Sequence, residues 1–106
     1  MANPKAVIAK HTTEAEFQAD IVAFAKAHGW LVHHCRPART TKGWATPLQG
    51  DAGFVDLVLA RNGVVHLWEL KAQGKKPTEA QVAWIVASKA RWWWPSQYEE
   101  MIRILE

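Results

Sequence analysis

Cysteine is almost missing from this chain: Cys35 is the only one. An intrachain disulfide is therefore excluded, and nothing in cysteine usage points to secretion. Long apolar runs are missing too. No stretch approaches the roughly 18 consecutive apolar residues that a membrane-spanning helix needs. The opening MANPKAVIAKH has no signal-peptide core, so a cytoplasmic location is expected. Internal repeats and low-complexity segments are absent as well. The most informative gap is in acid. Between Asp20 and Asp51 there is none, while Lys26, Arg36, Arg39 and Lys42 all fall in that interval. Lys71, Lys75 and Lys76 form a second basic cluster. The net charge of +3, from 13 Lys and Arg against 10 Asp and Glu, says little by itself. Its distribution points to a polyanionic partner, with solvated basic loops as the plain alternative.

What the chain does have is enough apolar content for one core. At 106 residues and 49% hydrophobic composition it reads as a single globular domain over 1–106, with residues 1–11 as a tail. Seven tryptophans are many for this length. Trp30, Trp68, Trp84 and Trp93 sit in periodic segments, where burial is the expectation.

Thr13-Glu14-Ala15-Glu16 fits a capping box opening a helix to about His28, with Phe17, Ile21, Phe24 and Ala25 at helical spacing and Gly29 closing it. WLVHHC, from Trp30 to Cys35, reads as a strand. Residues Arg36 to Gly53 have no sustained period and read as a long loop, of a length that is usually functional or disordered. A capping box at Thr78-Glu79-Ala80-Gln81 predicts a helix to about Lys89. Arg91–Trp94 reads as a short strand stopped by Pro95. A third box, Ser96-Gln97-Tyr98-Glu99, predicts a last helix through Leu105. Helices interleaved with a central hairpin imply an α/β domain whose mixed sheet is flanked by helices.

The hairpin is VDLVLARNGVVHLWELK, Val55 to Lys71. Asn62-Gly63 is a strong two-residue turn signal. With that turn, Arg61 pairs with Val64 and Asp56 falls opposite Glu69, with Cβ atoms roughly 4.5–5.5 Å apart. Glu69 and Lys71, two apart on one strand, share a face. A three-residue turn would offset this pairing. Three ionisable groups thus converge where charge is expensive. Lys71 neutralising the acids in an ion network is one explanation, although such networks stabilise poorly relative to apolar packing. A hard divalent cation is the other, and oxygen-only ligands suit Mg²⁺ or Mn²⁺. The run His33-His34-Cys35 is a competing metal idea, but neighbouring strand residues face opposite ways and no second cysteine supports it. Two carboxylates, a metal and a lysine are a known means of phosphodiester hydrolysis.

An acid near the start of a strand, a turn, then Glu-x-Lys resembles the pattern of the PD-(D/E)xK nucleases. More closely, the chain resembles the VRR-NUC (virus-type replication-repair nuclease) group. The matching pieces are Glu14-x-x-Phe17-Gln18, His28-Gly29-Trp30, Gly53 to Leu59, Glu69-Leu70-Lys71, Gln81 and Trp94-Pro95, in order across residues 14 to 95. The Glu-x-Lys motif alone carries almost no specificity; the ordered set carries much more. Val55 stands where the family has proline, and the segment leading into Arg91 is a few residues shorter.

The resemblance implies a restriction-endonuclease-like αβββαβ core. It implies Mg²⁺, with Mn²⁺ able to substitute, held by Asp56, Glu69 and the Leu70 backbone carbonyl. Lys71 would be the catalytic lysine, and Gln81 would support the site from the second helix. Glu14 is the expected helix-one acid, through water if it reaches the metal, because it shares the face of Phe17, Gln18 and Ile21 while Glu16 already has a capping role. Arg36, Arg39, Lys42 and Trp44, with Lys75 and Lys76, would follow a DNA backbone. Phosphate contacts give affinity without sequence preference, and no base-reading element is evident. The expectation is a Mg²⁺-dependent endonuclease on branched DNA such as a four-way junction, acting as a homodimer. The Trp92-Trp93-Trp94 run adds to the dimer idea, since alternate residues cannot all be buried on one side. A non-catalytic, structure-selective DNA-binding domain on the same fold is the alternative, and a structural ion network the third reading.

Overall fold

A computed structural model of the chain describes residues 11–35, 38–40, 43–45 and 50–106. The first helix, α1, covers Glu14–Ala27. Thr13 opens it in extended conformation, its hydroxyl accepting from the Glu16 amide at 3.1 Å, and so meets one of the helix's orphan donors. Phe17, Ile21 and Ala25 recur every fourth residue and are fully buried, one turn above another on a single face. The tail expected over residues 1–11 lies, apart from His11, outside the described residues.

Strand β1 (Leu31–His34) follows, then β2 (Ala38–Thr40) and β3 (Gly43–Ala45). These last two form an antiparallel pair of their own, with Arg39 opposite Trp44. The expectation of a long irregular loop over Arg36 to Gly53 is thus corrected in part. Strands of three residues hold barely one alternation, too little for a period to register. Arg36 and Lys42 fall outside the described residues, and Arg39 and Trp44 are placed by backbone register alone.

Strands β4 (Leu57–Arg61) and β5 (Val64–Leu70) form the predicted hairpin. Asn62 at φ 50° and Gly63 at φ 81° both occupy the left-handed region, as a type I′ turn demands. Arg61 therefore faces Val64, Leu59 faces His66 and Leu57 faces Trp68, the register read from the sequence. Strand β6 (Arg91–Trp93) runs parallel to the end of β5. The main sheet has the order β1-β4-β5-β6, antiparallel but for its last pair. With the β2–β3 hairpin as an insertion, the chain is α/β with helices flanking a four-stranded mixed sheet, compatible with an αβββαβ core.

One face of the sheet carries the core. Leu57 and Leu59 of β4, Trp68 and Leu70 of β5, and Trp93 of β6 pack with Phe17, Ile21 and Ala25 of α1. The last helix, α3 (Tyr98–Leu105), adds Met101 and Leu105. The coil leading into it begins one residue before the expected box of Ser96 to Glu99. Pro95–Gln97 forms a 3₁₀ turn, and Gln97 Oε1, rather than Ser96, supplies the local bond by accepting from the Trp94 amide at 2.9 Å. Proline suits a first-turn position because it has no amide to satisfy, which moves the start of the coil to Pro95. Arg61 closes the far end of the layer. Its guanidinium donates to the carbonyls of His28 and Leu105, at the ends of α1 and α3, and lies 4.4 Å above the Trp30 ring. A cation at two helix C-termini opposes both dipoles at once.

The remaining helix, α2 (Glu79–Ser88), has no fully buried residue. Trp84, expected in the core, is half-buried instead. Its indole N–H donates to the carbonyls of Asp51 and Ala52, and Phe54 meets it edge-on at 4.9 Å. The ring fastens the segment before β4 rather than filling the interior. Among the described residues, no helix is long and apolar enough to cross a membrane.

Candidate metal centre

Residues whose side chains leave the core face of β4 and β5 meet at one end of the sheet. Alternation puts Leu57 and Trp68 into the core, so Asp56 and Glu69 point the other way. The strand pairing ends at Leu57 and Trp68, and just beyond it the Asp56 amide donates to Glu69 Oε2 at 3.0 Å. Glu69 is only 1% exposed, so each of its oxygens needs a donor. Glu69 Oε1 accepts from Gln81 Nε2 at 2.9 Å and faces Lys71 Nζ at 3.4 Å.

Gln81 shows why two readings of it need not compete. Its Oε1 accepts from the Thr78 amide at 2.8 Å while Thr78 Oγ1 accepts from the Gln81 amide, which closes the capping box. The same carboxamide spends its N–H on Glu69. One side chain fixes the start of α2 and ties it to the sheet.

Asp56 has its own supports. Its Oδ2 accepts from Gln18 Nε2 at 2.9 Å and from the Leu70 amide at 3.4 Å. Gln18 was not among the expected site residues, although it belongs to the Glu14-x-x-Phe17-Gln18 piece. The signal that could have found it is its spacing, one helical turn beyond Glu14 on the same face. The Leu70 contact also orients a carbonyl. The amide and carbonyl of one strand residue leave by the same edge, so the Leu70 carbonyl points toward Asp56, while the neighbouring Lys71 amide goes to the Trp93 carbonyl at 3.0 Å on the β6 side.

Glu14 is exposed at the start of α1, yet its carboxyl is held above the usual range, first by partial burial and then by the charge of Asp56, with Lys71 pulling it back down. It therefore sits within the field of the pair. The Glu16 amide is taken by Thr13. Glu69 is shifted further, up to about 7. Burial is the main cause, the nearby Asp56 charge the next, and Lys71 offsets them only in part.

Among the described residues, no three His, Cys, Asp or Glu side chains converge closely enough to cage a metal by themselves. His33 Nε2 and Cys35 Sγ of the His33-His34-Cys35 run meet at 3.5 Å. The donors at this end of the sheet are hard and all-oxygen, two carboxylates beside the strand edge of Leu70. Mg²⁺ is the kind of ion such donors would suit, since it characteristically takes one or two carboxylates and keeps several waters. Lys71 and the two carboxamides close the network around these acids.

The basic residues are only partly placed. Lys75 and Lys76 are exposed on the link after β5. That link is anchored: the Lys75 carbonyl accepts from Trp94 Nε1 at 2.6 Å, and Gln73 Oε1 accepts from the Ser96 amide at 3.0 Å. Comparison with protein-family models, with curated proteins and with solved structures gives no match.

Proposed function

We propose that the chain is a Mg²⁺-dependent DNA endonuclease. The observation that carries this reading is the convergence of Asp56, Glu69 and Lys71 at one end of a hairpin, with Gln18 and Gln81 each spending a carboxamide N–H on one acid. Structural networks of this kind stabilise less than apolar packing, so two acids with dedicated supports on both sides need a further reason. A divalent ion supplies one.

Asp56, Glu69 and the Leu70 carbonyl would hold the ion, with Glu14 at the margin through water. Bound there, the ion would lower the pKa of a coordinated water and offset charge on the phosphate. Gln18 and Gln81 hold the carboxylates in place, so the geometry is set before substrate arrives. Lys71, tethered through Glu69 and largely buried, orients or deprotonates the attacking water or meets developing charge on the phosphate. Lys75 and Lys76, on a link fixed by Trp94, are positioned to contact backbone phosphates next to Lys71. The basic content of Arg36, Arg39 and Lys42 supports the same polyanion.

Branched DNA, with a four-way junction as the leading case, and action as a homodimer complete the reading; the first rests on the sequence offering no evident base-reading element and on the small size of the domain, the second on the symmetry of such a substrate. The test is cleavage of labelled linear, flapped and four-way DNA with Mg²⁺ and with EDTA. Metal-dependent nicking is expected, strongest on branched substrate and abolished in Lys71→Ala with binding nearly intact. Binding without nicking under every condition would assign a DNA-binding domain instead. Loss of binding in parallel with nicking in Lys71→Ala would make Lys71 an anchor.

A further inference from the structure

Strand β5 is seven residues long, but β6 pairs only with Trp68, Glu69 and Leu70. The outer edge of β5 from Val64 to Leu67 therefore runs past the start of β6. The two-residue turn fixes which way each amide points. Val64, His66 and Trp68 bond toward β4, and Val65 and Leu67 point to the opposite edge. Two contacts further along check the alternation: the Leu70 amide lies on the Asp56 side, and the Lys71 amide reaches Trp93 in β6. Val65 thus presents its N–H and C=O beyond the end of β6. Among the described residues no turn or loop hydrogen bond reaches either group, and Val65 is 59% exposed.

This edge is one wall of a groove of about 300 Å³, bounded by Val65–Trp68 on one side and Ser88–Arg91 on the other. The second wall is satisfied internally. Ser88 Oγ donates to the Trp84 carbonyl and accepts from the Ala90 amide. It carries one unmatched cation: Arg91 is held by Glu100 at 3.2 Å and lies over the Trp93 ring, whereas the exposed Lys89 takes part in none of the ion pairs among the described residues.

An unpaired strand edge is met by another extended backbone. A second copy of this chain is a poor occupant, because its own β5 edge is recessed behind its own Ser88–Arg91 wall. A single slender strand enters where a sheet cannot. The unmatched charge of Lys89 on the facing wall selects acidic side chains. We propose that this groove takes an extended acidic peptide segment of another protein, added beside Val65 in line with β6. The inference is independent of the hydrolytic reading.

The test uses the full chain labelled with ¹⁵N and a capped hexapeptide alternating valine and glutamate. Amide shifts should centre on Val65, Leu67 and Ala90, and exchange of the Val65 amide should slow. Methylating the probe's backbone nitrogens on the pairing edge should weaken binding by about tenfold or more, as loss of strand hydrogen bonds requires. Lys89→Glu, at the exposed C-cap of α2, should weaken it by about fivefold while the amide spectrum of the core stays unchanged. Equal binding of the methylated probe, shifts mapping elsewhere, or no shifts at about 5 mM probe, where even a Kd near 1 mM would give about four-fifths occupancy, would each overturn the proposal. So would Val65 protection that grows with protein concentration in the absence of peptide, which would assign the edge to a second copy.

Discussion

Asp56 and Glu69 do not face one another as bare like charges. The Asp56 amide, Gln81 and Lys71 all serve Glu69, and burial with the Asp56 charge holds the Glu69 carboxyl at about 7. A carboxyl raised this way binds its proton more tightly folded than unfolded. Its contribution to stability is present at low pH and is lost as pH rises from its ordinary value of 4.5 through about 7. In EDTA, the Tm should therefore fall between about pH 5 and pH 8, and Glu69→Gln should flatten that fall. A slope unchanged in Glu69→Gln would place the titration elsewhere. Because an ion must displace the same proton, stabilisation by Mg²⁺ should grow over the same window. Asp56→Asn removes the second cause of the Glu69 shift. It should raise the Tm in EDTA at pH 8, abolish nicking and remove most of the Mg²⁺ response. An Asn variant that is less stable in EDTA and still responds to metal would show that Asp56 acts as an ordinary hydrogen-bond acceptor.

At the level of elements, the site depends on how closely the segment before β4 approaches the start of α2. Gly53 lies at φ 93°, and a Cβ there would come within 2.5 Å of the Ala80 backbone carbon. Both the backbone conformation and the contact exclude any larger residue. Gly53→Ala should cost about 2 kcal/mol or more, from strain and overpacking together. It should also push Gln81 off Glu69, so that nicking falls more than stability accounts for; an unchanged rate in the folded variant would separate the approach from the chemistry. The parts of the site that could be read from sequence are those fixed by local geometry. Asn62-Gly63 dictates the turn, the turn dictates the register, and the register places Asp56 against Glu69. Thr13 and Thr78 announce their helices for the same local reason. Gln18 on Asp56 and Trp84 on Asp51 join residues more than thirty positions apart, and no period encodes such contacts. The earlier start of the coil before α3 turned on one proline whose fixed φ outweighed a plausible serine cap.

Across the whole molecule, the structure changes the grounds for expecting a dimer. Trp93 is fully buried, while Trp92 and Trp94 are half-buried and meet edge-to-face at 5.1 Å. The tryptophan run thus finds much of its cover within one chain and does not by itself call for a second. What remains is the symmetry of a four-way substrate, which two copies would match. Affinity for that substrate should come from phosphate contacts made by exposed lysines, and the cleavage rate from the buried network. The two can be separated. Each phosphate contact contributes about −0.9 to the slope of log affinity against log salt on duplex DNA. Lys75→Ala with Lys76→Ala should therefore make the slope shallower by about 2 and weaken binding, while single-turnover nicking at saturating enzyme stays within about threefold of the unmutated chain. Native mass spectrometry of the complex should find two chains per junction. One chain per junction with full nicking would remove the dimer and leave the metal site standing. A collapse of the saturated rate in the double variant would instead put Lys75 and Lys76 inside the chemistry, on a link that Trp94 holds beside Lys71.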